Sequence, residues 1–154
     1  MEHIQQLSEE MRAIGTYDDF LRVRRLLTQY GDAEVFGFLW PLSIQHPGAG
    51  FDVSAGYMLV ELQPNSMRSI ESLLADIHES SLDASNRIVP FYLISEFGKH
   101  KVLEACARFI GQLPANSPRS RVDAVQYWAS MPASELCKRF HDWEARNTYG
   151  ITDE

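Results

Sequence analysis

The chain has 154 residues, 45% of them hydrophobic and 23% charged, with 14 Lys and Arg against 21 Asp and Glu for a formal net charge of −7. This composition excludes collagen-like, disulfide-rich and wholly disordered chains, and the length suits a single globular domain over 1–154. The acidic balance argues against general nucleic-acid binding, which needs a cationic surface to neutralise phosphates.

Ile4, Leu7, Met11 and Ile14 are spaced three, four, three, one face of an amphipathic helix. Gly15 follows, suited to a positive φ at the helix end. Thr16 with Asp19 reads as a capping box with a shortened acid. Phe20, Val23, Leu27 and Tyr30 repeat the stripe up to Gly31, so two helices form a hairpin. Asp32 is a candidate cap for an element from Ala33 to about Trp40, apolar on all sides. Pro41 discourages helix beyond Leu39, because the residue before proline avoids the α region.

The run from His46 to Gly50 reads as a loop, and 53–62 fits a strand about as well as a helix. After Pro64, Asn65 or Ser66 is expected to cap a helix carrying Met67, Ile70, Leu74 and Ile77. Ser80 to Arg87 is polar loop. Pro90 suits the first turn of a helix through Phe97, with a strand over Ile88–Ile94 as the alternative. Gly98 breaks the run. Val102, Cys106, Phe109, Ile110 and Leu113 mark the next helix. Ser117 and Pro118 look like its successor's N-cap and first residue, ahead of Val122, Val125, Trp128 and Ala129. Leu136, Phe140 and Trp143 mark a last helix, and the tail after Asn147 is expected to fray. The expected fold is mainly α, a compact bundle or irregular α-hairpin array of about six or seven helices. A short β element in 33–62 or 88–94 is the alternative.

No apolar run approaches the roughly 18 residues of a membrane span. The opening residues lack a secretory signal, and two cysteines, Cys106 and Cys137, make no disulfide framework, so a cytoplasmic location is expected. Cys137 and His141 share a helical edge and are the weak metal candidates, with His100 and Cys106 as further ligands. Their spacing is not that of a structural zinc knuckle, so no metal or cofactor is expected. The same Cys137–His141 pair lacks the orienting third group of a nucleophilic site. No serine-nucleophile elbow, phosphate loop or paired carboxylates stand out, so no catalytic residue is assigned and the reading leans away from an enzyme.

Charge is uneven along the chain. Residues 51–98 carry seven acids and two bases, whereas 99–121 carry five bases and one acid. Lys99 and Lys101 open one expected helix and Arg119 and Arg121 another; if the two starts met, they would form an anion-binding corner. Glu71, Asp76 and Glu79, off the apolar stripe of their helix, are the expected contacts for a protein partner. Small size, acidity, missing catalytic motifs and an 11% aromatic content point to a protein–protein interaction module. Its concrete form is an immunity or inhibitor protein that neutralises a basic toxin or enzyme. The alternative is a small enzyme or ligand-binding protein with a pocket between helices, using His46, His100, Arg119, Cys137 and His141.

Overall fold

The computed structural model describes residues 2–45, 51–132, 134–136 and 138. Eight helices are described: α1 (Glu2–Arg12), α2 (Tyr17–Leu27), α3 (Asp32–Ser43), α4 (Phe51–Leu62), α5 (Ile70–Glu79), α6 (Ile88–Phe97), α7 (Lys99–Gly111) and α8 (Arg121–Ser130). A further helical turn lies at 134–136. The expected last helix beyond it, with Phe140 and Trp143, the tail, and the loop at 46–50 fall outside the described residues.

The chain is mainly α, and no strand occurs among the described residues. In the two segments with a β alternative, 33–43, 51–62 and 88–94 are helical. Their lack of a polar face reflects position. α3 packs most extensively on α4, α4 also meets α6, and α6 touches α7 and α8. α4 and α6 pack among several helices and need apolar residues on most sides, which weakens the 3.6-residue alternation, whereas α3 packs on α4 and keeps a second apolar side at the surface. One cluster of buried side chains runs from Leu7 and Met11 through Phe36, Leu39 and Leu59 to Tyr92, Val102 and Val125.

Helix boundaries depart from the sequence reading in several places, each for a local reason. α3 runs through Pro41 to Ser43. A proline inside a helix crowds the carbonyl four residues earlier and removes one bond. Here that residue is Gly37, and both positions face outward, where water can satisfy the freed carbonyl. The cap of α3 is Gly31, and Asp32 instead accepts a hydrogen bond from the Asn65 amide at 3.0 Å. α5 starts at Ile70 with Ser69 as its cap. Asn65 and Ser66 fold the preceding turn, accepting from the amides of Met67 (2.9 Å) and Arg68 (3.1 Å), and Met67 is left exposed with a positive φ. α8 is capped by Ser120 in a capping box with Asp123, three residues later than Ser117.

Gly15 keeps a negative φ and donates to the Asp19 carboxylate. That bond, with those from Thr16, holds Asp19 below its ordinary range, and the Thr16–Asp19 capping box forms as expected. Glu10 of α1 and Arg22 of α2 form an ion pair across the hairpin. Among the described glycines only Gly98 has a positive φ, 87°, and it joins α6 directly to α7.

Candidate functional site

α1 and α3 leave an apolar groove of about 610 Å³ between them. α3 turns Phe36, Leu39 and Trp40 into the core, and its opposite side carries Gly37, Phe38, Pro41 and Leu42 along the groove. A Cβ at Gly37 would meet nothing within 4 Å, so this position leaves the groove open. From α1, Leu7 is buried, whereas Ile4 lines the groove and is 62% exposed. Glu34 is the one carboxylate in the lining.

Across Pro41 the groove meets a shallow depression of about 540 Å³ that includes Ile44, Asp76 and Glu79. An acidic edge therefore lies beside the apolar groove, with Pro41 between the two. Asp76 is committed to the fold. It accepts from the Arg68 guanidinium at 2.7 Å and from the indole N–H of buried Trp40 at 2.9 Å. The Arg68 bond, then that of Trp40, keeps its carboxyl below the usual range. Glu71 is exposed and lies 3.5 Å from Arg108. Glu79 is exposed and enters no ion pair among the described residues.

The four expected anion-binding residues separate into two pairs. Lys99 reaches the Ser130 and Met131 carbonyls at 3.4 and 3.1 Å, so it sits at the end of α8. There it satisfies carbonyls and meets the negative end of the helix dipole. Lys101 lies over the Phe97 ring. Arg119 and Arg121 flank the start of α8, about one 15 Å helix length away by the usual rise per residue. Consecutive helices packed antiparallel put their starts at opposite ends, so the four side chains form no single corner.

Cys106 is buried, and burial, aided by the charge of Asp123, pushes its thiol up to about 12. His100 points outward near Glu104, away from that thiol. Among the described residues no group of three or more His, Cys, Asp or Glu side chains is placed to hold a metal ion. Cys137, His141 and His46 lie outside the described residues. The raised thiol has a direct consequence for alkaline stability. Below pH 9.0 the folded and unfolded chains both keep the proton. Between 9.0 and about 12 only the unfolded chain loses it, so stability falls as pH rises. Cys106→Ala is expected to flatten that part of the pH profile in urea unfolding, and the native thiol should resist thiol reagents until the chain unfolds.

One polar pair has no counterpart in the sequence reading. His78 Nδ1 lies 2.8 Å from Ser120 Oγ, and its ring meets Phe109 edge-on. The Ser120 oxygen also accepts from the Val122 amide at 3.1 Å. With a neutral imidazole the hydroxyl proton is free to point to Nδ1, which ties α5 to α8. The partners are 42 residues apart, and no local spacing marks them. The groove did leave a trace in the sequence: α3 has two apolar sides, and only one of them can face the core. No helix among the described residues is long and apolar enough to cross a membrane. No family model, curated protein or solved structure matches the chain.

Proposed function

We propose that this protein is an interaction module that receives an amphipathic segment of a basic protein partner, as an inhibitor or immunity-type protein would. The observation that carries this reading is that the apolar α1–α3 groove lies beside an acidic edge, with Pro41 lining both. Apolar anchors of a partner helix would enter beside Phe38 and Leu42, which is how amphipathic helices dock in grooves. Its lysines or arginines would meet Glu34 and Glu79, and such rim charges act mainly on encounter rate and partner choice. Of the three acids expected to make the contact, Glu79 suits it best. Asp76 is spent on Trp40 and Arg68, and Glu71 lies beside Arg108.

The test begins with a photo-crosslinking residue in place of Phe38, used in native cells. The expected adduct is a protein of net positive charge. With that partner purified, Gly37→Leu should weaken binding by about tenfold or more, and Glu79→Lys should slow association most at low salt. The glycine faces open space, so its replacement fills the groove with little disturbance of the fold. An adduct with an acidic protein or with a second copy of this chain, no adduct at all, or an affinity indifferent to both substitutions would overturn the reading.

A further inference from the structure

A separate cavity of about 640 Å³ opens at the start of α8, and its chemistry is unlike that of the groove. The helix start spends its own donors internally. The Val122 amide bonds Ser120 Oγ, and the Asp123 carboxylate accepts from the Ser120 amide at 2.9 Å. What the cavity offers an anion is therefore side-chain charge. Arg121 is oriented by its Nε, which donates to the Leu82 carbonyl at 3.2 Å and leaves both terminal nitrogens. Arg119 enters no ion pair among the described residues. The two carboxylates in the lining keep their charge, but each is bonded to its own loop or helix start. Asp123 caps the helix, and Asp83 accepts from the amide and hydroxyl of Ser85 at 2.7 and 2.6 Å.

The wall beside these arginines is aromatic and rigid. Trp128 is held by its indole N–H on the Ala84 carbonyl at 2.8 Å. The Arg87 guanidinium lies 4.3 Å above its ring. Tyr127 stands edge-on to it, ring centres 5.0 Å apart and planes at 74°, and is 56% exposed. Large exposed aromatics beside cations are costly to leave in water and are favoured where a ligand binds.

We infer that this cavity binds a small molecule combining a planar aromatic ring with a phosphate or carboxylate group. The ring lies against the Tyr127–Trp128 corner, and the anion is held by Arg119 and Arg121 through charge-assisted hydrogen bonds. The site shares no lining residue with the groove and only Ser81 with the acidic depression, and it does not depend on the function proposed for them.

The test titrates the full chain with adenosine monophosphate and with indole-3-carboxylate, followed by calorimetry and by amide NMR shifts. Adenosine, indole and inorganic phosphate serve as the matched probes lacking the charge or the ring. At least one of the two ring-bearing anions is expected to bind about tenfold more tightly than its uncharged ring and than phosphate alone. Which one binds identifies the anion as phosphate or carboxylate. Arg119→Gln and Arg121→Gln should each weaken that binding about tenfold, and Tyr127→Ala should weaken it as well. Lys101→Gln, at the other end of the α7–α8 pair, should leave it unchanged. Arg119 is exposed and enters no ion pair among the described residues, so its variant is expected to keep the fold and isolate the effect on binding. Failure of both anions to bind at millimolar concentration would overturn the inference. So would equal binding of the uncharged rings, or binding indifferent to both arginine substitutions.

Discussion

Tyr92→Ala is expected to cost about 3–5 kcal/mol, the range for deleting a fully buried aromatic ring. Tyr92 has no exposed surface. Its ring stacks on Phe36 at 6.0 Å and leans on Trp40 at 6.4 Å, so α6 is joined to α3 through three aromatic rings. Its hydroxyl donates to the Pro64 carbonyl at 2.6 Å and holds the turn between α4 and α5. Burial also raises the hydroxyl above its ordinary range, so it stays protonated and remains a donor throughout the physiological range. Total stabilities of small domains are about 5–15 kcal/mol, so the alanine variant should be close to unfolding. Tyr92→Phe separates the two roles. It keeps the ring and leaves a buried carbonyl without its donor, for an expected loss of about 1–3 kcal/mol. Urea unfolding of both variants checks the pair. A phenylalanine variant as stable as the parent would show that the hydroxyl does not hold the turn.

Gly98→Ala should cost about 1–3 kcal/mol, the strain of a non-glycine residue in this backbone region. Gly98 has φ 87° and ψ 147°. Its amide closes α6 on the Ile94 carbonyl at 2.8 Å, and its carbonyl opens α7 by accepting from the Val102 amide at 3.1 Å. A Cβ there would touch nothing within 4 Å, so the loss comes from the backbone alone. Gly37→Ala is the natural comparison. That glycine is also unobstructed, yet it lies within α3, where alanine is favoured by about 0.5–1 kcal/mol. Thermal unfolding should move the two variants in opposite directions. A Gly98→Ala variant as stable as the parent would mean that the junction relaxes to a negative φ.

Where an apolar stripe met a short-range cap, the helix was readable from the residues. α2 shows this, with Phe20, Val23 and Leu27 buried and the Thr16–Asp19 box in place. α3 and α4 were ambiguous because apolar residues on several sides, buried in α4 and partly exposed along the groove in α3, remove the alternation that separates helix from strand. The starts of α5 and α8 shifted because each offered more than one capping residue within five positions. Ser69 and Ser120 won that competition. Asn65 is drawn away by Asp32 and Pro64 by Tyr92, bonds that span 33 and 28 residues.

Candidate sites were legible in part, and for the same reason. Arg119, Arg121, Tyr127 and Trp128 lie close in sequence, and they line one cavity. Asp83 and Leu82, which complete its far side, come from the loop after α5 and carry no local signal. Lys99 and Lys101 resembled the arginine pair in sequence, but antiparallel packing of α7 and α8 sends them to the other end. The acids of α5 looked equivalent along the chain. The fold ties Asp76 to Trp40 and Arg68 and leaves Glu79 outward, because one helical turn separates a position over α3 from one at the edge.

The sequence by itself determined the helical class, the Thr16–Asp19 capping box and the acidic balance, since these depend on periodicity and on neighbours along the chain. Tertiary structure alone decided which side of α3 became a groove, which acids kept a free charge, and which cations gathered around one cavity. Those outcomes depend on side chains dozens of residues apart competing for the same hydrogen bonds and the same space.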